Sequence, residues 1–362
     1  MDWLTKIWNC ITTGKTSGAA KKPVAKTAAV SSKPILQAKP QAKKPNEISI
    51  IPEMSEQRAQ IEVTRAKYFD VIKNPDHKVK NGESLDKIAK KYGVETSTLR
   101  VFNGIKEKDA DKTPVGIVLK IPPTRKLKNV NNLKDIANAM GVSQDFVKRL
   151  KRIEDNANLP DNKFHNTPYV DKAGNNTIGI GHLIKGEKFS QLTDAQVCTL
   201  CAKDLLKVED ELSAHLGKRV YDSLPQGIKE ALLDMCFNKG IDIIKNEDKY
   251  KESKGLTWCL KNGKYEAAIN KFTYIKSNAT GKEMSGLAKR RLFDISLAIK
   301  MYKGEVPQSN INTAQKVYKT GVDLLRAECQ ASGAKFANMI VGYNKDIQGY
   351  FGDKIKLKLI TE

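Results

Sequence analysis

The residues best suited to chemistry lie between positions 149 and 184 of the 362-residue sequence. Arg149-Leu150-Lys151-Arg152-Ile153-Glu154 reads as the end of a helix that closes on a carboxylate. An irregular stretch with Pro160, Asn162 and Pro168 follows, and then Tyr169-Val170-Asp171-Lys172-Ala173-Gly174-Asn175-Asn176-Thr177-Ile178-Gly179-Ile180-Gly181-His182-Leu183. That run has a β-hairpin signature: an extended segment, a Gly-Asn turn and a second strand. Gly179 and Gly181 read as strand positions whose missing side chains leave room for a backbone or ligand. Two carboxyl groups suit glycosidic hydrolysis, one protonated to donate to the leaving oxygen and one ionised. Glu154, behind the apolar Ile153, is the candidate acid, since shelter from water disfavours its charged form. Asp171, on a polar strand edge, is the candidate ionised carboxylate. Thr177, six positions on and across the turn, is placed to help hold a water against it. Residue types alone leave plainer readings open: a solvated helix-end Glu, a turn-capping Asp and an ordinary β-branched strand residue.

The order Glu, Asp, Thr inside Tyr-x-Asp-x-x-Gly-x-x-Thr-Ile-Gly-Ile-Gly-His-Leu resembles the phage-type lysozymes of glycoside hydrolase family 24. Further matches are Phe237-Asn238-Lys239-Gly240, and Gly286-Leu287 followed by Arg290-Arg291. The resemblance implies that Glu154 is the general acid, that Asp171 and Thr177 are its partners, and that Asn238 contacts substrate. It also implies cleavage of the bond between N-acetylmuramic acid and N-acetylglucosamine in peptidoglycan, with inversion and without a cofactor. The sixteen residues between Glu154 and Asp171 exceed the family's usual spacing. The extra piece around 158–165 reads as a loop at the cleft mouth, with Asp155 and Asp161 as rival carboxylates.

The elements that position these residues begin upstream. Within 76–123, His77 to Lys80 reads as a short strand and 81–84 as a turn. Leu85, Ile88, Ala89 and Tyr92 define one helix face, which Gly93 ends. Leu99 and Phe102 belong to a second short helix closed by Asn103-Gly104, and 115–122 reads as a turn and a strand stopped by proline. This strand–helix–helix–strand order, with Gly82-Glu83-Ser84-Leu85 and Leu119-Lys120-Ile121-Pro122, resembles a LysM domain, a βααβ module that binds N-acetylglucosamine-containing glycans. The resemblance puts a sugar groove between the turn at 82–85 and the loop after Asn103, with Gly82, Ser84 and Asn103 as binding residues. Leu85, Ile88, Ala89, Gly93 and Val94 recur 48 positions later as Leu133, Ile136, Ala137, Gly141 and Val142. The second copy also has the Ile-Ala-x-x-x-Gly-Val-Ser spelling of a DNA-binding helix-turn-helix. Val147, Leu150 and Ile153 continue one apolar face past it, which favours a packing pair of helices.

The remainder reads as helical. Thr193-Asp194-Ala195-Gln196 is a capping box, with Val197, Cys201, Leu205, Val208 and Leu212 on one face. Further helices are read from Gln226, over 265–275 and over 287–299. Cys198 and Cys201 read as core cysteines, because no second pair at metal spacing accompanies them. His165, His182 and His215 are scattered, so no metal is expected, and His182 reads as a buttress of the hairpin. Residues 313–343 read as mainly helical, with Val317, Leu324, Leu325, Phe336, Ile340 and Val341 as anchors.

The expected class is therefore α+β: a βααβ module followed by a mostly helical domain with a small hairpin lobe. The expected divisions are a disordered basic tail at 1–46, a helical connector at 47–75 (helix over 58–72), the LysM module at 76–123, a helical linker at 124–148, the lysozyme domain at 149–303 and a helical extension at 304–362. Lys and Arg number 63 against 41 Asp and Glu, a net charge of +22. That balance calls for an anionic partner such as wall or envelope polymer. Only ten of the 63 basic residues are Arg, which suits diffuse attraction over base readout, so no sequence-specific nucleic acid is expected. No apolar run is long enough for a transmembrane segment, the first residues do not read as a secretory signal, and six Cys do not make a disulfide scaffold. The expected partner is peptidoglycan, met in the periplasm or at the cell wall after synthesis in the cytoplasm. Delivery is expected by holin-type release of a phage lysin, or by a secretion apparatus carrying an effector with an immunity protein. The alternative is a non-catalytic wall- or nucleic-acid-binding protein.

Overall fold

The computed structural model describes residues 52–154, 159–160, 162–171, 174–247, 255–276 and 281–361. The basic tail and the rival carboxylates Asp155 and Asp161 lie outside the described residues.

The LysM-like stretch has the βααβ order read from the sequence. Strand β2 (His77–Lys78) pairs antiparallel with β3 (Val118–Leu119), and between them lie α2 (Leu85–Tyr92), α3 (Thr96–Phe102) and a 3-10 turn (Glu107–Lys112). The Ser84 hydroxyl accepts the Lys87 N–H at 3.3 Å and so starts α2, while Gly93, at φ +63°, ends it. Val79, Leu85, Ile88, Leu99, Leu119 and Ile121 form a small core of their own.

Two features around this module differ from the sequence reading. Helix α1 (Pro52–Ala66) stops short of the expected 72, and Phe69–Ile72 is a strand, β1. The linker at 124–148 opens with another strand, β4 (Thr124–Leu127), before its helices. β1 and β4 pair antiparallel, Phe69 opposite Leu127 and Ile72 opposite Thr124. Each is too short to show a period, and each finds its partner only across the intervening module. The ladder thus holds both ends of the LysM-like unit together.

The linker continues with α4 (Leu133–Met140) and α5 (Gln144–Glu154). Asn132 and Gly141 cap α4 as Ser84 and Gly93 cap α2, both glycines at φ +63°, so the 48-residue echo is a repeat of cap geometry. Ile136, Ala139, Phe146 and Leu150 are fully buried. The α4–α5 pair is a core element, as its continuing apolar face suggests.

After α5 comes a three-stranded antiparallel sheet of β5 (Tyr169–Val170), β6 (Asn176–Ile178) and β7 (His182–Leu183). The helices that follow are α6 (Asp194–Leu216), α7 (Lys218–Ser223), α8 (Gln226–Lys239), α9 (Asp242–Glu247), α10 (Leu256–Lys261), α11 (Tyr265–Ile269), α12 (Ser285–Ala298), α13 (Gln308–Ser332) and α14 (Phe336–Phe351). Thr193 and Gln196 form the predicted capping box at α6. The helix expected over 265–275 ends at Ile269, since Phe272 and Ile275 turn inward from non-helical chain. Val341, read as an anchor, is 68% exposed: α14 buries Ile340, Tyr343, Asn344 and Ile347 instead, the face one position away. Cys198, Cys201, Cys236, Cys259 and Cys329 are free and buried. Among the described residues no helix is long and apolar enough to cross a membrane.

The connector is fastened to α6. The Arg65 guanidinium donates to Glu209 at 2.7 Å and to the Ala139 carbonyl at 3.1 Å, and Arg125 meets Asp210. A Cβ on Gly141 would stand 2.8 Å from Arg65 Cδ and Ile61 Cγ2, whereas one on Gly93 would meet only a methyl at 3.9 Å. Both Gly→Ala changes carry the left-handed strain of about 1–2 kcal/mol. Gly141→Ala is expected to add roughly 1–3 kcal/mol of overpacking under α1. Urea midpoints should therefore fall further for Gly141→Ala than for Gly93→Ala, and equal losses would refute the α1 contact.

Candidate active site

Glu154 is the last residue of α5, which begins where the Ser143 hydroxyl accepts the Phe146 N–H at 3.1 Å. The Glu230 carboxylate from α8 accepts the Ser143 N–H at 2.6 Å and fixes that end. At the other end Lys151, 1% exposed, donates to the carbonyls of Leu159 and Pro160 at 3.1 and 3.0 Å. The long segment before the hairpin is thereby held against α5 by a buried ammonium. It reaches the hairpin through the Gly179 N–H, which donates to the His165 carbonyl at 2.9 Å, and through the His165–Tyr169 ring contact.

In the hairpin, β5 and β6 pair with Tyr169 opposite Thr177 and Val170 opposite Asn176. The Asp171 N–H continues the ladder to the Asn175 carbonyl at 2.9 Å. Tyr169, Asp171, Asn175 and Thr177 therefore share one face. The Asp171 carboxylate accepts the Asn175 N–H at 2.8 Å and its side-chain amide at 3.1 Å, so it shapes the turn while its carboxylate stays on that face. Thr177 is buried, and its hydroxyl donates to the Asn175 carbonyl at 3.2 Å.

Gly179 and Gly181 are not strand positions. They flank Ile180 in the turn between β6 and β7, at φ +63° and +72°. The space beside Gly181 is filled: a Cβ there would stand 2.8 Å from Glu154 Oε2. Gly181 lets the helix-end carboxyl press against the hairpin, and this contact joins the candidate acid to the lobe carrying Asp171 and Thr177.

The other carboxyl oxygen meets a cation. Arg290 Nη1 lies 2.6 Å from Glu154 Oε1, an ion pair rather than a well-aimed hydrogen bond. The same guanidinium grips Asp234 of α8 through Nε at 2.7 Å and Nη2 at 3.0 Å. Burial opposes the Arg290 charge, but Asp234 and then Glu154 outweigh it and raise its pKa. Behind it Arg291 Nε meets Asp294 Oδ2 at 2.8 Å. Burial pushes the Asp294 carboxyl well above the usual range, against the pull of Arg291.

Asn238 lies one turn beyond Asp234 on the same face of α8, and its Oδ1 is buried with no hydrogen-bond partner among the described residues. Burial, assisted by Arg291 and Arg290, lowers the neighbouring Lys239 ammonium to about 8. His182 Nδ1 meets Asp204 of α6 at 2.8 Å and ties β7 to that helix.

In the LysM-like unit, Gly82 turns the chain at φ +77° and Ser84 caps α2. Asn103 makes three internal bonds: its amide donates to the Leu99 and Lys120 carbonyls, and its carbonyl accepts the Lys120 N–H, each at 2.8 Å. Its side chain thus clips the end of α3 to the residue that follows β3. A cavity of about 340 Å³ opens beyond it, lined by Gly104, Ile105, Lys106, Thr113, Pro114 and Ile117. Among the described residues no group of His, Cys, Asp or Glu is arranged to hold a metal.

Asp234 escaped the sequence reading. Its signal is a lone acid inside Ala231-Leu232-Leu233-Asp234-Met235-Cys236, since a charge in an apolar run needs a buried partner. Arg290 was legible as part of a motif, but its bridge to Glu154 was not.

Residues 162–293 match the family model described as phage lysozyme, and residues 77–122 match the LysM domain model. The chain thus carries a phage lysozyme domain and, before it, a LysM domain. Asp171, Thr177, Asp234, Asn238 and Arg290 fall within the first stretch; Glu154 precedes it by eight residues. Among solved structures, the chain is similar to the active form of the P1 phage endolysin Lyz at 19% identity and a TM-score of 0.37, over 48% of this chain and 96% of that one. It is also similar to the muramidase domain of SpmX from Asticaccaulis excentricus, at 20% identity and a TM-score of 0.32, over 44% and 97%. No curated protein matches.

The His182–Asp204 bond carries a pH signature. The hydrogen bond to Asp204, working against burial, raises the His182 pKa. A folded-state pKa raised above the unfolded value of about 6.5 gives stability that is complete below that pH and lost as pH rises through the folded value. Wild type is therefore expected to exceed Asp204→Asn in denaturant midpoint most at mildly acidic pH, with the gap narrowing through neutrality. A gap that is flat or widens with pH would refute the pairing.

Proposed function

We propose that this chain, with a phage lysozyme domain behind a LysM domain, is a peptidoglycan muramidase. It hydrolyses the β-1,4 bond from N-acetylmuramic acid to N-acetylglucosamine, and so acts outside the cytoplasm, where that polymer lies. The observation that carries this reading is the seating of Glu154 against Gly181, in the hairpin whose one face bears Asp171 and Thr177. This contact supports a reading in which an acid on a helix end works with a carboxylate and a hydroxyl carried by the hairpin.

Glu154 is proposed as the general acid, donating a proton to the departing glycosidic oxygen. Arg290 orients the carboxyl by its Oε1 oxygen. Asp171, held by charge-assisted bonds from Asn175, is proposed to direct a water to the sugar carbon with Thr177, giving inversion. The Asn238 oxygen, buried with no hydrogen-bond partner among the described residues, is proposed to accept from a sugar N–H or O–H. The net charge of +22 concentrates the enzyme on anionic walls. The LysM domain is proposed to hold a neighbouring glycan at the loop after Asn103.

Glu154→Gln is expected to reduce release of soluble muropeptides by roughly 10²–10⁴-fold with the fold intact, because an amide is a very poor proton donor. Asp171→Asn should be comparably slow and Thr177→Ala milder. Wild-type turnover by Glu154→Gln would overturn the assignment. Proton NMR of the first product should show the inverted anomer. Fused to an export signal in a Gram-negative host, the wild-type chain should lyse cells and Glu154→Gln should not. This also covers delivery as a phage lysin or injected effector, since both require wall hydrolysis once the membrane is passed.

Residues 76–123, closed by their own core, are expected to sediment with insoluble peptidoglycan and to be released by chito-oligosaccharides. Retention no greater than that of a control protein would reduce the module to a spacer.

A further inference from the structure

Helix α12 carries Arg290 yet has no cap of its own. The residue before it is Met284, which offers no side-chain acceptor. The missing acceptor comes from α13, outside the stretch matched to phage lysozymes. The Glu328 carboxylate accepts the Ser285 N–H at 2.9 Å and the Ser285 hydroxyl at 2.5 Å. A carboxylate at a helix start satisfies orphan donors and meets the positive end of the helix dipole. The Tyr343 hydroxyl of α14 reaches the Ser285 carbonyl at 3.4 Å.

The same hairpin holds the helix of Glu154. Arg149 of α5 donates through Nη2 to the Gly349 carbonyl of α14 at 3.1 Å. Its guanidinium lies 5.6 Å from the Phe293 ring of α12 and 5.2 Å from the Tyr350 ring of α14, so one cation joins three helices. At Gly321, α13 comes so close to α12 that a Cβ would stand 2.9 Å from that of Ala288. Arg149 precedes Glu154 by five positions, and Ser285 precedes Arg290 by five. Each helix is therefore gripped about 7.5 Å along its axis from its half of the ion pair.

We propose that the α13–α14 hairpin is a brace for the active site, and that Arg149 and Glu328 are positioning residues that set the Glu154–Arg290 contact. The proposal rests on the muramidase reading for its catalytic consequence, and on the ion pair alone for its structural one. Neither residue touches the reacting atoms. Their loss lets α5 and α12 shift relative to each other, and displacements near an ångström at an acid are felt in the rate more than in substrate binding.

The test uses the full chain with Arg149→Met, Glu328→Ala and Glu328→Gln. In variants with wild-type far-ultraviolet circular dichroism, kcat on soluble peptidoglycan fragments should fall about 10-fold for Arg149→Met and Glu328→Ala, with KM within about two-fold. Glu328→Gln, which keeps an oxygen to accept from Ser285, should recover most of the loss. Unchanged kcat, or a loss confined to KM, overturns the proposal. A second readout needs no activity: the ¹⁵Nη1–H resonance of Arg290, the nitrogen that meets Glu154, assigned with Arg290→Lys. It should move toward the position of a solvated arginine in Arg149→Met and Glu328→Ala, and stay fixed in the surface control Asp323→Ala. An unmoved resonance overturns the brace. If Glu328→Ala does not fold, Ser285→Ala removes only the hydroxyl contact and is read in the same two ways. If the wild-type chain leaves peptidoglycan uncut, the muramidase reading falls and the resonance still decides the brace.

Discussion

A guanidinium buried to 5% exposure must be paired, and the packing around the candidate active site follows from how Arg290 is paired. Its planar fork takes Asp234 through two nitrogens and presents the third to Glu154. The residues stand on three helices, so satisfying one cation fixes α8, α12 and the end of α5 together. Removing one partner of such a pair costs about 3–5 kcal/mol, because a charge is left inside. The helices come as close as this requires: a Cβ on Gly227 of α8 would overlap the Leu297 carbonyl of α12. The candidate acid is thus held by the same contact that closes the core.

Around that cation lies a larger set of charges. Three carboxyl groups, Glu154, Asp234 and Asp294, meet two guanidiniums, Arg290 and Arg291, and the Lys239 ammonium stands nearby. Burial favours the neutral form of Asp294 and weakens the Lys239 charge. The two effects offset in net charge and reduce the number of charges held in a largely buried group. Glu154 stands at the rim of this group, 19% exposed on its side chain.

The LysM domain is attached differently. Its core is separate from the main one. The β1–β4 ladder closes its two ends, and Arg65 and Arg125 fasten the flanking chain to Glu209 and Asp210 of α6. Burial opposes ionisation of Glu209, but Arg65 and then Arg125 outweigh it and hold its carboxyl below the usual range. The LysM domain is therefore joined to the lysozyme domain by a paired ladder and buried ion pairs.

Much of this is legible in the sequence. The βααβ order, the capping box at Thr193, the helix ending on Glu154 and the hairpin turn at Gly174-Asn175 all depend on neighbours within a few positions, where periodicity, caps and turn residues act. The partners were not legible. Arg290 meets Asp234 across 56 positions and Tyr343 meets Ser285 across 58, and neither local pattern names the other. β1 and β4 were missed because a strand of four residues is defined by the strand it pairs with. Gly179 and Gly181 announced an opening, and the fold filled the one at Gly181 with the carboxyl of Glu154. Residue types and short-range spacing determined which groups are available for chemistry. Only the burial of charges, which must find opposite charges wherever the chain holds them, decided which groups meet.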